Sequence, residues 1–571
     1  MRQTGAPWLA LATAVVLSGC TAQHYRQSAD KAAYGAIAQK SWQVKNMDPH
    51  FTIEQTNAVS LDGLPELTQT EAFLGEFAES ERGARIVNLE KALEIGVRQS
   101  RAYQSRKEQL YLSALNLTLD RHRFVPLFSA GGNADYGGGT YPTTVTQWVV
   151  DPEDPSKTKP VFSDELVVRN SVTAQGNVNA SWLIRDLGRI TASLTVGFQK
   201  FLTGGPQAVA NSQVLATFTR PLLRNAGFQN EAETLTQGER DLLYALRDFT
   251  RYRKDFTVEV ATAYYGVLGA RDAARNAHLN LQSSHQAAER GRALASEGRQ
   301  TQSDLGRLEQ QELSTESAWI GAVRNYKQAL DNLKILLGLS TGARIVLDDA
   351  ELKQLKIDHP QISVEDSIRV ALAARLDYQN VQDQLADSER KVGLAADALK
   401  TQLDLTAQAN SYTTKSKDGV AVPDFKNYNW SAGVILDLPI ERTAERNAYR
   451  SALISHDQAA RAVTQREDDL TLEVRDSWRS LEQARRTYEI SEIGVKLAER
   501  RVEEQNLLAE LGRAKAQDQV DAQNDLISSL NQRSQALVTH TIARLQFWNR
   551  MGILYIQDNG QWENLQHARA Q

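Results

Sequence analysis

The chain has one cysteine, Cys20, among its 571 residues, which leaves no partner for a disulfide within the chain. Beyond the first 20 residues it also lacks any run of 18 or more apolar residues, so we expect no transmembrane helix there. The net charge of −5 gives no indication of nucleic-acid binding. Membrane contact would therefore require a β-barrel, a lipid anchor or an amphipathic surface.

The first twenty residues, MRQTGAPWLALATAVVLSGC, contain a basic Arg2, an apolar stretch and a terminal Leu-Ser-Gly-Cys. This pattern is similar to a bacterial lipoprotein signal, in which residues 1–19 are removed and the thiol of Cys20 is acylated. The alternative is a plain secretory signal followed by an incidental cysteine. Because the only cysteine lies where lipidation needs it, we predict Cys20 as a lipidation site and this covalent lipid as the only cofactor-like group. Similarity to other lipoproteins implies that Thr21, next in the chain, directs sorting to the outer membrane.

Proline is absent from 66–125, 222–359, 361–422 and everything after 439, which permits long helices. Two of these stretches carry apolar residues at alternating spacings of four and three, which is typical of helices packed side by side. The first set is Leu242, Leu246, Phe249, Phe256, Val260, Ala263, Val267, Ala270 and Ala274, with Arg253 as its polar member. The second set is Leu470, Val474, Ser477, Leu481, Ala484, Tyr488, Val495, Ala498 and Val502, with Ser491 between.

The two sets share a register, because adding 214 to positions of the first gives positions of the second. The same offset relates Gly298 and Asp304 to Gly512 and Asp518, and residues 88–103 resemble residues 363–378. The chain therefore contains two copies of one unit: helix, β segment, very long helix, break, helix.

This repeat predicts the domain boundaries. We expect a signal peptide at 1–19, a lipid-anchored extended segment at 20–85, a first repeat at 86–340, an equatorial linker at 341–362, a second repeat at 363–555 and a tail at 556–571. Within the repeats, the predicted helices are 86–123, 222–340, 363–400 and 440–552. The predicted β segments are about 124–220 and 401–439.

In the β segments the apolar period changes to two, as in 401–412 and 429–439. Strands of about ten residues with one apolar and one polar face fit a transmembrane barrel with a wet lumen. A half-buried sheet in a soluble domain gives the same alternation. The lipid anchor and the duplicated helices favour the membrane. One chain supplies too few strands to close a barrel, so subunits would have to pool their strands by cyclic symmetry.

Two regions extend this pattern. Residues 190–219 contain an additional strand pair, which would bring a trimeric barrel from twelve strands to eighteen or form a separate flap. The stretch DPEDPSKTKP at 151–160 predicts an exposed loop.

With these features the chain resembles the TolC family of outer membrane factors over roughly residues 85–555. The resemblance implies a mixed fold: a long α-helical coiled-coil barrel plus an antiparallel transmembrane β-barrel shared between three subunits. It also implies a homotrimeric, passive export duct in the outer membrane of a Gram-negative bacterium. Its partners would be outer-membrane lipid, a periplasmic adaptor (membrane fusion) protein and an inner-membrane transporter of RND or ABC type. The alternative is a periplasm-spanning scaffold or adaptor lipoprotein without a channel.

The resemblance also assigns roles to residues. Gly298 and Gly512 would form turns at the periplasmic tip, and Asp518 and Asp521 would form the pore constriction. Asp304 would join a gating network at the entrance, to which Arg513 could belong. The alternative for both Asp304 and Asp518 is capping of the returning helix.

No enzymatic site is predicted. The nine histidines are scattered without metal-ligand spacing, so we expect no catalytic residue and no metal. The glycine-rich 131–139 lacks the Lys-Ser/Thr of a phosphate-binding loop.

Overall fold

The computed structural model describes residues 21–54, 60–69, 71–203, 208–415, 425–511, 513 and 515–562. Contacts divide the chain into two units. One contains the described residues up to Leu115, Asp241–Leu385 and the described residues from Gln458 onward, and the other contains Asn116–Arg240 and Ala386–Asp457. Within the described ranges, no helix is both long and apolar enough to cross a membrane.

Helices dominate the described chain. In order they are α1 (Ala22–Ser41), α2 (Leu89–Gln99), α3 (Arg101–His122), α4 (Gln229–Ser296), α5 (Gln302–Leu337), α6 (Asp349–Gln354), α7 (Val364–Ala374), α8 (Leu376–Asp397), α9 (Thr443–Glu510) and α10 (Ala516–Arg550). The two longest, α4 and α9, contain 68 residues each. Helices α2 and α7 contain 11 residues each, and α3 and α8 contain 22 each.

The strands form two sheets among the described residues. In chain order they are β1 (Arg85–Val87), β2 (Leu127–Asp151), β3 (Asp154–Ile184), β4 (Gly188–Phe201), β5 (Ala208–Pro221), β6 (Ile345–Leu347), β7 (Gln402–Lys415) and β8 (Tyr428–Asp437). Strands β1 and β6 pair in parallel, and the other six form one antiparallel sheet in the order β2-β3-β4-β5-β7-β8. The strand pair at 190–219 therefore belongs to the large sheet and is not a separate flap.

The heptad positions predicted from the sequence lie mostly inside the helical packing. On α4, Leu242, Leu246 and Val260 are fully buried, and on α9, Leu470, Val474 and Leu481 are as well. The polar member Arg253 is also buried. Its guanidinium donates hydrogen bonds to the carbonyl oxygens of Asn46 (3.0 Å) and Gln557 (3.3 Å), which replace those it would make to water. The carbonyl of Gln557 also accepts from the N–H of Gly560 (3.0 Å), so Arg253 shares this acceptor with a backbone turn.

The predicted continuous helices at 86–123 and 363–400 are each interrupted, at Ser100 and at Arg375. Both residues have extended backbones, with ψ of 125° and 115°. At each break a distant glycine packs against the backbone. A Cβ on Gly338 would lie 2.1 Å from the carbonyl oxygen of Gln99, and a Cβ on Gly552 would lie 3.2 Å from the carbonyl of Ala374, so only glycine permits these contacts. Both glycines adopt positive φ, 79° and 77°, as a left-handed helix cap requires.

Two other sequence predictions are wrong in part. The segment at 20–85 is not extended throughout, since it contains α1 and, within Ala72–Glu81, 3-10 turns interrupted by the non-helical Gly75. The predicted linker at 341–362 includes β6 and α6. The loop predicted at 151–160 is mostly strand, because β3 begins at Asp154 and a salt bridge between Lys159 and Asp151 (3.0 Å) joins β3 to β2.

A cluster of charged side chains surrounds the break at Arg375. This arginine is 4 % exposed and donates two hydrogen bonds to Asp377, both of 2.8 Å, and one to Glu473 (3.1 Å). Arg466 binds the same two carboxylates. Burial alone would raise the pKa of Asp377, but the hydrogen bonds and charges of the arginines outweigh it and hold the pKa well below its usual range. This contribution to stability is present above the unfolded-state pKa of about 4 and is lost as the pH falls through the lower folded-state value.

Replacing Arg375 tests the importance of this cluster. We expect Arg375→Met to lower the free energy of unfolding by about 3 kcal/mol, because two half-buried carboxylates lose their buried charged partner. Thermal unfolding of the detergent-purified protein measures the change. The matched control is Arg369→Met, because the Arg369 side chain is 78 % exposed and pairs with Asp366 at the surface. A loss no larger than that of the control would show that the cluster does not stabilise the fold.

Candidate functional site

The cross-strand register of the large sheet sorts its side chains into two faces. One face, here called the apolar face, is Phe128, Ala130, Val178, Ala180, Trp182, Ile190, Ala192, Leu194, Val196, Phe198, Val214, Ala216, Phe218, Leu403, Leu405, Ala407, Ala409, Trp430, Ala432, Val434 and Leu436. Arg220 and Ser411 mark its two ends on neighbouring strands. On β4 the face runs from Ile190 to Phe198, about 27 Å of strand at ~3.4 Å per residue.

The opposite face, here called the polar face, carries hydroxyl and amide side chains. It consists of Ser129, Asn177, Asn179, Thr191, Ser193, Thr195, Gln213, Thr217, Thr406, Gln408, Asn410, Asn429 and Ser431, with Leu215 as an apolar exception. Gln213 donates to Asn410 across neighbouring strands at 3.2 Å. The same register adds the charged Asp135 and Asp404 to this face. A face of hydrogen-bonding and charged groups is suited to contact with water.

In the single chain the apolar face is open to solvent. Trp430 is 73 % exposed, Val434 58 % and Leu436 56 %. A contiguous exposed apolar surface of this kind marks contact with a membrane or another protein. Within the described part of the chain, the sheet ends in two edge strands, β2 and β8, which have a partner strand on one side.

The first helical turn, between α4 and α5, is ordered by backbone and side-chain caps. Gly298 has φ 71°, its N–H donates to the carbonyl of Ala295, and the N–H of Arg299 donates to Leu294. These bonds form a Schellman motif. Thr301 caps α5: its Oγ1 accepts from the N–H of Asp304 (3.1 Å) and donates to the Asp304 carboxylate (2.7 Å). The carboxylate of Asp304 is therefore engaged in capping.

The second turn, between α9 and α10, has the same backbone bond but no side-chain cap. The N–H of Arg513 donates to the carbonyl of Leu508 at 2.8 Å. Lys515 stands at the N-cap of α10 and makes no capping bond with its side chain. Asp518 on the first turn is exposed, and Asp521 accepts a bond from Gln517 (2.8 Å).

The structure places the predicted site residues as follows. Gly298, Asp304, Arg513, Asp518 and Asp521 all lie at the two interhelical turns or within the first two turns of the helices that follow them. The two hairpins meet there, because Leu308 and Ala288 of the first pack against Val520 of the second. Cys20 and Gly512 lie outside the described residues.

Two groups of residues escaped the sequence analysis. The polar face of β2, β4 and β5 was not assigned, since glycines such as Gly131 and Gly197 dilute the alternation. A ladder of hydrogen bonds between α4 and α10 was also missed. It joins Asp255 to Asn549, Asp272 to Ser534 and Asn276 to Asn531, at 2.6 to 2.7 Å. Isolated polar residues on a helix give no signal of such pairing.

No family model and no curated protein match the chain. Solved structures do match it. The CmeC outer membrane channel of Campylobacter jejuni has a TM-score of 0.59 and 13 % identity, covering 92 % of this chain and 98 % of that one. The outer membrane protein VceC of Vibrio cholerae has a TM-score of 0.57 and 13 % identity, covering 81 % and 96 %. The MtrE outer membrane channel of Neisseria gonorrhoeae has 0.55 and 13 %, covering 81 % and 89 %.

The chain therefore has the fold of an outer membrane channel. More specifically, the similarity to TolC-like outer membrane factors, predicted from the sequence, is confirmed at the level of the fold.

Removing the Thr301 hydroxyl tests the difference between the two turns. We expect Thr301→Ala to destabilise the first turn of α5 by about 1 kcal/mol and to speed amide exchange there roughly fivefold, because the cap is lost. Hydrogen–deuterium exchange measures this effect. In the matched control, Lys515→Ala, exchange at the start of α10 should stay unchanged. Equal responses at both turns would contradict the assignment of a cap to Thr301 alone.

Proposed function

We propose that the chain is one subunit of a trimeric outer-membrane duct that serves as the passive exit channel of a tripartite efflux or secretion system. The observation that carries the proposal is the large sheet, with an uncharged apolar face, a polar face and two open edges. A β-sheet in lipid satisfies all its backbone groups only if it closes into a barrel. The apolar face would contact the hydrocarbon, and the polar face would line a water-filled lumen.

Three copies provide the closure. The open edge of β8 in one copy would pair with that of β2 in the next, and three six-stranded sheets would give an eighteen-stranded barrel. A threefold axis makes each such junction identical, so one interface closes the ring. Exposed apolar residues of the helices, such as Ile490, Ile493 and Leu497 on α9, would be covered by the neighbouring copy.

The helices would form the periplasmic part of the duct. Helices α2, α3, α4 and α5 have counterparts in α7, α8, α9 and α10 with matching or nearly matching lengths. The equivalent approaches of Gly338 and Gly552 support an internal repeat. Two repeats in each of three subunits would place six similar helical units around the tunnel. Such an arrangement is suited to a regular helical barrel.

This assignment implies the location and partners of the protein. The duct would lie in the outer membrane, anchored by lipid on Cys20, and would receive cargo from an inner-membrane transporter of RND or ABC type through a periplasmic adaptor. The chain would perform no chemistry itself. CmeC and MtrE, which share the fold, are outer membrane channels.

The constriction would lie at the second turn. At the start of α10 the N-cap side chain makes no bond to Asp518, in contrast to Thr301 and Asp304, and Asp521 accepts from Gln517 through Oδ1, so Asp518 and the second oxygen of Asp521 would face the pore. Threefold symmetry would turn each into a ring of three acidic groups, and such rings attract cations. Asp304, Gly298, Gly512 and Arg513 would belong to the surrounding entrance.

Paired substitution of the two aspartates tests this constriction. We expect Asp518→Ala with Asp521→Ala to weaken block of single-channel current by divalent cations by about tenfold or more, because two rings of negative charge are removed. Planar-bilayer recording of the purified protein measures the block. The control is Asp304→Asn, whose carboxylate is engaged in the cap. Unchanged block in the double variant would remove both residues from the constriction.

The duct itself is tested by electron microscopy of the detergent-purified protein. We expect threefold particles with a lumen and eighteen strands in the barrel. A monomer, or an elongated particle without a lumen, would reject the duct and favour a scaffold or adaptor lipoprotein.

A further inference from the structure

Strands β2 and β3 extend far beyond the rest of their sheet. The last pair between β3 and β4 is Ser171 with Phe201. Beyond it, among the residues that the structure describes, 137–151 and 154–170 pair with each other and have a few further contacts at the base. This two-stranded segment, here called the β-ribbon, continues for about 50 Å at ~3.3 Å per residue. An isolated ribbon of two strands is at best marginally stable in water, so a supporting surface is expected.

The side of the β-ribbon that continues the apolar face is itself largely apolar. Register places Pro142, Trp148, Val150, Pro160, Phe162, Leu166 and Val168 on this side, with threonines between. Trp148 is 67 % exposed, Phe162 68 % and Leu166 73 %. Among the regularly paired residues its charged group is Asp164, which accepts a hydrogen bond from Thr144 (2.8 Å). The opposite side is mixed: it carries the charged Lys159, Glu165 and Arg169 together with the apolar Tyr141, Val145, Val149, Val161 and Val167.

Three consecutive glycines lie where the β-ribbon leaves the sheet. Gly137, Gly138 and Gly139 stand opposite Ser171, Asn170 and Arg169, at the point where the sheet narrows to two strands. None of the three has a positive φ, so no special backbone conformation explains them. Glycine weakens a strand and often marks a bend. The base of the β-ribbon is therefore the place where it can bend most easily.

We propose that the β-ribbon lies on the outer surface of the membrane, with Trp148, Phe162 and Leu166 inserted among the lipids. The proposal rests on the proposed function, in which the apolar face contacts lipid. The apolar side of the β-ribbon is continuous with that face. Bending at the glycines toward the lipid turns this side down onto the bilayer, whereas bending over the pore would leave it in water.

The chemistry of the β-ribbon fits a lipid surface. Aromatic side chains such as Trp148 concentrate at membrane interfaces, where an apolar ring and a polar edge are both satisfied. The charged side chains of the other side would face water in this arrangement. The three β-ribbons of a trimer would then spread outward from the barrel and leave its mouth open.

Site-specific quenching tests the proposal. Phe162→Cys and its neighbour Val161→Cys place a thiol on opposite sides of the same strand. Each full-length variant is labelled with a nitrobenzoxadiazole fluorophore and reconstituted into vesicles containing brominated phosphatidylcholine. We expect quenching at position 162 to exceed quenching at position 161 by about twofold or more, because only the former side contacts lipid. The unsubstituted protein, labelled in parallel, reports any signal from Cys20.

A label at a third position distinguishes failure of the β-ribbon proposal from failure of the proposed duct. Val434→Cys lies on the apolar face of β8, so its label should be quenched if that face contacts lipid. Quenching at 434 with no difference between 162 and 161 would overturn the membrane-bound β-ribbon and leave the duct intact. Absence of quenching at 434 would overturn both. Leu166→Cys and Val167→Cys form a second matched pair if the first labelled pair fails to assemble.

Discussion

Backbone hydrogen bonding at the edges of the large sheet is the constraint on which the proposed assembly depends. Each unpaired N–H or C=O group in hydrocarbon costs several kcal/mol, so an open edge cannot remain in lipid. The two edges differ in length: β2 has 25 residues and β8 has 10. The shorter edge limits the junction between copies to about ten residues. The remaining edge of β2 belongs to the β-ribbon, which a purely hydrocarbon environment would not tolerate.

The two helix breaks, at Ser100 and Arg375, have similar backbone conformations but are packed by different interactions. At the first helix break, Tyr103 packs against Phe249 and Phe256, with ring centroids 5.8 and 5.2 Å apart. At the second break, the charged cluster of Arg375 and Asp377 takes that place. Aromatic packing tolerates small shifts, whereas buried ion pairs require good geometry to offset their desolvation. The second break is thus the more sensitive of the two to displacement of its helices.

The sequence predicted those features that depend on local periodicity. The alternation at 401–412 and the heptads around Leu246 and Val474 can be recognised from the sequence alone, because each period reflects one face of a single strand or helix. The presence of strands at 190–219 followed for the same reason. Arg253 was identified as the polar member of a buried stripe, although its partners could not be foreseen.

The missed features depend on contacts between distant residues. The breaks at Ser100 and Arg375 arise where Gly338 and Gly552 approach the backbone, and nothing in the flanking sequence encodes those approaches. The charged and proline-rich 151–160 favours a loop by composition, but pairing with β2 makes most of it a strand. At the tip, the Thr301 cap is local and recognisable, whereas Leu308 and Val520 meet only through the packing of two hairpins.

The bonds of Arg253 have a consequence for the order of folding. Its two acceptors lie 207 and 304 residues away along the chain, on opposite sides of the arginine in the sequence. Contacts of such large sequence separation form late, because a long loop must first be closed. Before folding, the guanidinium is hydrated, and it can leave water without losing hydrogen bonds only when the segments around Asn46 and Gln557 have both packed on α4. Burial of this part of α4 therefore depends on two segments that are more than 500 residues apart in the chain.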